Sequence, residues 1–166
     1  MKLLQLLLLL VLAAGPSGCV TTTVESRYSY DTTVDFSVMR SFAMLPLDEN
    51  DFSTPESTAH YRTAMVRALS AKGFTENPAN PDFVIRTAPV GTFREEYNML
   101  DAGTFSLGRA SLRVSFLRPS SGWHIYEAVV ESFLEESDSQ ESKNALLDDA
   151  VDQILRKFPP TTRDDL

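Results

Sequence analysis

The chain has 166 residues, 23 acidic against 15 basic side chains, a formal net charge of −8 and a single cysteine. An acidic chain of this kind argues against nucleic acid, or anionic lipid headgroups, held through a basic patch. One cysteine excludes an intrachain disulfide framework, so the core must close by packing alone at a length near that of one domain. The chain opens on Lys2, followed by the apolar run Leu3–Ala14, broken only by Gln5, and then by small residues and Pro16. A basic start, a short apolar stretch and a small-residue exit are the marks of an export signal. The run of 12 residues falls short of the roughly 20 that a membrane-spanning helix needs.

The lone cysteine stands directly after this leader, in AAGPSGCV. Ser17-Gly18-Cys19 fits a lipobox, in which small residues precede a cysteine that is acylated and becomes the amino terminus. Pro16 departs from the aliphatic residue usual three places before the cysteine. The rival reading is ordinary cleavage after Gly15, which would leave Pro16 next to the cut; a third is a structural cysteine. The expected organisation is a lipoprotein signal peptide at 1–18, a lipidated Cys19 with a tether or first strand at 19–30, one α+β domain at 31–160 and a polar tail at 161–166. Each buried methylene is worth about 0.8 kcal/mol, so several acyl chains, palmitate among them, would anchor the domain durably. Val20, where an inner-membrane retention signal would place Asp, points to the outer membrane, facing the periplasm.

Further along, Thr21–Tyr30 is β-rich and polar, and Asp31–Asp35 reads as a turn. Ser41–Leu47 is a short apolar strand stopped by Pro46, and Asp48–Thr54 an acidic loop. Ser53 and Glu56 have capping-box spacing around Pro55, and Tyr61, Ala64, Met65, Ala68 and Leu69 follow at helical spacing up to Gly73. Phe83–Phe93 is a strand in which Pro89 and Gly91 mark a bulge or an edge. Arg94–Thr104 reads as a loop. Phe105–Arg118 alternates with period two, with a bulge expected at Gly108 where the parity changes. After the turn Pro119–Gly122, Trp123–Leu134 returns. Pairing Arg118 with Gly122 would set Arg113 opposite Glu127 and Arg109 opposite Glu131. Gln140–Phe158 is an amphipathic helix ended by Pro159-Pro160. The expected fold is α+β: an antiparallel sheet of about five strands with two amphipathic helices packed on one face.

Three segments resemble the bacterial lipoproteins grouped as the domain-of-unknown-function 4136 family: YDTTVDFSVMRSFAMLP (30–46), RTAMVRALSAKGFTENPANPDFVI (62–85) and LLDDAVDQILRKFPP (146–160). They cover most of the chain after the leader and stand in the family's order. Two departures are visible. REEYNMLDAGTF replaces a Gly/Tyr/Trp-rich insertion common among relatives, and Tyr126-Glu127-Ala128 stands where many have Trp followed by Arg-Gly. The resemblance implies an envelope lipoprotein and brings no active site with it.

Catalytic and metal patterns are thin. His60 and His124 would have to meet in one pocket with a carboxylate. The acidic loop at 48–51 lacks the third ligand and the glycine of a calcium loop. Neither GxSxG, GxGxxG nor a P-loop occurs. No enzyme, cofactor or metal is expected. The expected role is a membrane-anchored structural or interaction domain that meets an envelope protein through the sheet's free face or the Arg94–Thr104 loop, with Arg109, Arg113, Glu127, Glu131, Tyr97 and Trp123 as the candidate surface. The alternatives are a periplasmic ligand- or peptide-binding module, with a cleft lined by Tyr126, Phe105 and Trp123, and a hydrolase with an unfamiliar site.

Overall fold

The computed structural model describes residues 25–47, 52, 54–99, 103–135 and 139–160; for 25, 89–99, 103–110 and 133–135 the description is of backbone. Six strands and two helices follow one another: β1 (Glu25–Tyr30), β2 (Ser41–Met44), α1 (Pro55–Ala71), β3 (Thr75–Glu76), β4 (Phe83–Met99), β5 (Gly103–Leu117), β6 (His124–Glu135) and α2 (Gln140–Leu155). They build one sheet in the order β1-β6-β5-β4-β2-β3. The sheet is mixed, which corrects the antiparallel, five-stranded expectation. β2 runs parallel to both β3 and β4, while β1, β6, β5 and β4 pair antiparallel. The physical reason lies in the connection. A helix between β2 and β4 is long enough to carry the chain back across the sheet, as a parallel pair requires.

Helix α1 begins at Thr54 rather than at the expected capping box on Ser53. The Thr54 side chain accepts from the Ser57 N–H at 3.1 Å, and Pro55 takes the first turn. Its end is a Schellman motif: Gly73, at φ +91°, donates to the Ser70 carbonyl and Phe74 to that of Leu69. Phe74 then enters the core and leads straight into β3. Helix α2 is capped by Ser139, whose hydroxyl accepts from the Ser142 N–H at 3.2 Å. Gln140 donates to Ser57 Oγ at 3.0 Å and so ties the start of α2 to the first turn of α1. Arg67 meets Asp148 at 2.9 Å across the helix pair.

Both helices cover one face of the sheet. On that face Phe83, Ile85, Val114, Phe116, Tyr126, Ala128 and Val130 are buried with Tyr61, Met65 and Leu69 of α1 and Val151, Ile154 and Leu155 of α2. Phe158, just past α2, sits at the centre. Its ring centroid lies 4.4 Å from Phe116, 5.1 Å from Tyr126, 5.4 Å from Phe74 and 5.5 Å from Phe83. Tyr126 and Tyr28 donate to the carbonyls of Ile154 and Gln153, both at 2.7 Å, and hold α2 on the sheet. Burial pushes the Tyr61 and Tyr126 hydroxyls above the ordinary tyrosine range, so both stay protonated.

Three local expectations change. The bulge expected between Pro89 and Gly91 is present, the register shifting there at Val90, but the one expected at Gly108 is not, since pairing passes Gly108 without a break. The β5–β6 register is displaced by two residues. Arg118 pairs with Trp123 around a four-residue turn, and Ile125 forms a second bulge, so Arg113 stands opposite Val129 and Arg109 opposite Phe133. A two-residue displacement keeps every side on its face, because strand side chains alternate with period two. Finally, the stretch read as a loop from Arg94 to Thr104 is largely strand. β4 and β5 stay paired out to Met99 opposite Gly103.

A charged open face and an exposed tryptophan

Among the described residues no helix lies over the second sheet face, and period two brings a set of charged residues onto it. Arg27 of β1 meets Glu131 of β6 at 2.9 Å. Glu127 is the hub of a second group: Ser115 Oγ donates to it at 3.3 Å, Arg113 Nε lies 3.8 Å away and His124 Nδ1 3.7 Å away. Arg86 of β4 approaches His124 Nε2 at 3.3 Å. An arginine can only donate, so this contact makes Nε2 the acceptor and leaves the ring proton on Nδ1, toward Glu127. These are surface pairs in water, each worth no more than about 1 kcal/mol. The group carries three arginines against two glutamates on a chain whose net charge is −8. The register adds Arg109, Glu25, Glu95 and Glu135 to the same face, which therefore mixes both signs.

At the end of the same face lies the turn between β5 and β6. Gly122, at φ +67°, allows the chain to close there, and its N–H donates to the Arg118 carbonyl at 2.8 Å. The turn leaves Trp123 at 65% exposure. A groove runs beside it, lined by Tyr30 and Asp31 from the end of β1 and by Ser121, Trp123, His124 and Glu127. Asp31 is pre-set as an anion. The hydroxyl and N–H of Thr33 both donate to it, at 2.7 and 2.9 Å, and hold its carboxyl below the usual range.

Of the residues singled out from sequence, Arg113, Glu127 and Glu131 share the open face, and Trp123 rims its end. Tyr97 does not join them. It lies opposite Phe105 on the far arm of the β4–β5 hairpin, at the other end of the sheet from Trp123. Arg109 is placed by register only, between Phe93 and Phe133. Cys19 and the acidic loop at 48–51 lie outside the described residues. Arg27 and Arg86 went unselected in the sequence, and His124 was weighed there only as half of a catalytic or metal pair with His60. Arg86 carried a signal, since it alternates with the buried Phe83-to-Ile85 side of its strand. His124 did not, because the Ile125 bulge that sets its position has no signature of its own.

Two expectations about clefts and catalysis lose their geometry. Tyr126 is buried under α2, Phe105 is on the far arm and Trp123 is exposed, so the three line no common cleft. Among the described residues, aromatic rings fill the space between sheet and helices. His60 lies between the helices, 3.3 Å from Asp148, while His124 is on the opposite side of the sheet. Among the described residues no three His, Cys, Asp or Glu side chains gather as a metal site, and no helix is long and apolar enough to cross a membrane.

Comparison with known proteins follows the same outline. A model of a family described as a domain of unknown function, DUF4136, matches residues 26–160. A PDZ domain protein from Parabacteroides distasonis superposes with a TM-score of 0.54 at 18% identity, over 86% of this chain and 38% of its own. This chain thus spans well under half of that protein. PelC from Paraburkholderia phytofirmans, solved as a dodecamer, superposes with a TM-score of 0.53 at 11% identity, over 80% of this chain and 95% of its own. At such identities the likeness is one of fold alone. No protein of curated function matches the chain.

Proposed function

The chain belongs to the DUF4136 family, and from that footing we propose that it is a non-enzymatic lipoprotein domain of the bacterial envelope, anchored through acylated Cys19 and presenting its open sheet face to a protein partner. The observation that carries the reading is Trp123. A tryptophan 65% exposed, beside a groove with polar rims, is the kind of residue that dominates binding energy once a partner covers it. The arginine-rich patch next to it suits an acidic partner surface. The anchor would hold the domain at one membrane, with the outer membrane favoured by Val20, and so raise the local concentration of any partner on that surface. That a protein of the same fold, PelC, forms a dodecamer supports the view that this architecture serves in assemblies.

Two measurements test this. Cells fed an alkyne analogue of palmitate should label the full chain, and Cys19→Ser should lose the label and leave the membrane fraction. A photo-cross-linker at Ser121, beside the groove, should capture one envelope protein in near-equal amount, and Trp123→Ala should abolish that capture. Because Trp123 packs against little, its loss should change unfolding free energy by less than about 0.5 kcal/mol. Diffuse capture that Trp123→Ala leaves untouched would remove the partner reading.

A further inference from the structure

The hairpin of β4 and β5 continues past the rest of the sheet. β6 ends opposite Leu107, and β1 begins at Glu25, in line with Glu131, Ser111 and Gly91 on the neighbouring strands. Beyond that line β6 accompanies β5 as far as Leu107, and β4 and β5 pair with each other out to Met99 and Gly103. At about 3.3 Å per residue, the stretch from Gly91 to Met99 carries this arm about 26 Å past the level at which the chain enters the sheet.

The register makes the arm two-sided. Phe93, Glu95, Tyr97 and Met99 stand opposite Arg109, Leu107, Phe105 and Gly103. By period two these are positions of one face, and they hold every large apolar residue of the paired arm. Arg94, Glu96 and Asn98, opposite Gly108, Ser106 and Thr104, occupy the other. Past Leu107 the arm is a two-stranded ribbon with no core of its own, and one apolar face needs something to cover it. Along β5 these positions continue the alternation of Arg113 and lie on the sheet face opposite Val114 and Phe116, which meet the helices.

The position of the tether says what can. Cys19 is six residues before Glu25. Fully extended, that stretch reaches at most about 21 Å. The tether therefore leaves the domain at the end from which the arm projects, and its reach is shorter than the arm. Bringing Cys19 to a bilayer brings the arm to the same surface. The arm carries Arg94 and Arg109 against Glu95, Glu96 and Asp101, so burial of apolar surface rather than headgroup attraction would hold it there.

We propose that the β4–β5 arm is a second, non-covalent contact with the lipid surface that carries the anchor, its apolar face laid into the boundary between headgroups and acyl chains. The inference rests on acylation of Cys19. Two contacts fix orientation where one lipid tether only limits distance, and they turn the opposite end of the sheet, with Trp123 and its groove, away from the bilayer.

The test uses the full lipidated chain in vesicles of phosphatidylethanolamine and phosphatidylglycerol. Acylation consumes the only natural thiol, so Met99→Cys, or Leu107→Cys as a second probe on the same face of the arm, takes an environment-sensitive dye at one place; Ser121→Cys places it at the far end. The expected result is flotation of all three with the vesicles. Emission should shift to the blue and be quenched by doxyl-labelled lipid at 99 and 107, but not at 121, and added salt should leave this unchanged. Tyr97→Ser with Phe105→Ser should reverse the shift while flotation persists. Protein that floats with probes at 99 and 107 unquenched overturns the inference and leaves the anchor standing. A blue shift without quenching, accompanied by a cross-linked species of twice the mass, overturns it in favour of a second copy. Protein that neither floats nor takes up palmitate shows that the anchor reading has failed, and this inference with it.

Discussion

Phe158 touches the rings of Phe36, Phe74, Phe83, Phe116 and Tyr126, and it is 1% exposed. It joins both helices' ends to the middle of the sheet. Phe158→Ala should cost about 3–5 kcal/mol, read as a lowered urea midpoint, because the surrounding rings cannot collapse into the space without losing one another. The run Phe-Pro-Pro marked the helix end in the sequence, but nothing there marked Phe158 as the core's centre, since that depends on where the sheet lies. Asp82 is a different case. Its carboxylate accepts the N–H groups of Arg40 at 2.8 Å and Ser41 at 2.9 Å and the Ser41 hydroxyl at 2.9 Å, clamping the start of β2 to the start of β4. The Arg40 N–H is the main reason its carboxyl titrates below the usual range. A depressed folded value means the clamp contributes in full above the ordinary Asp range near pH 3.9 and is lost as pH falls through the lower, folded value. Asp82→Ala should cost about 1 kcal/mol at neutral pH, the exposure of the site keeping the figure small. The gap from wild type should narrow as the pH falls through the folded value; a constant gap in acid-titrated unfolding curves would rule out the carboxylate's charge as its source.

At the scale of elements, regular patterns carried over and short or non-local ones did not. The stripes Tyr61–Leu69 and Leu147–Leu155 located both helices, and the alternation Leu112-Val114-Phe116 located β5 and its two faces. Thr54 and Ser53 are chemically alike as caps, and only the direction of the backbone at Pro55 separates them. Thr54→Ala should therefore destabilise the protein by about 1 kcal/mol in thermal unfolding, and a value near zero would deny Thr54 its role. β3 escaped notice because two residues have no period; it exists because the Schellman turn at Gly73 aims the chain along β2, so that Thr75 can donate to the Arg40 carbonyl at 2.8 Å. The parallel β2–β4 pair could have been read from the helix that separates the two strands. The arm could not, because Arg94-Glu95-Glu96 looks like loop composition, and only the partner strand shows that Arg94 and Glu96 alternate with Phe93, Tyr97 and Met99. Of the open face, Arg113 and Glu127 were legible as a pair on one side, and they remain neighbours at 3.8 Å because the two bulge-and-turn shifts add to an even number.

For the whole molecule, the first strand depends on the last. Among the described residues β1 pairs only with β6, and Tyr28 reaches from it to the Gln153 carbonyl of α2. A chain beginning at Asp31 should therefore unfold at a lower temperature and show concentration-dependent aggregation in light scattering, because the β6 edge opens. Unchanged stability would make β1 a mere continuation of the tether. The same pairing has a consequence in time. Arg27 and Glu131 are 104 positions apart, and ribosomes deliver the amino end first. Until β6 has been made, β1 has nothing to pair with, and contacts this far apart in sequence form slowly. Translation of nearly the whole chain must precede closure of the sheet. What the ribosome makes first is therefore among the last to be fixed in the sheet.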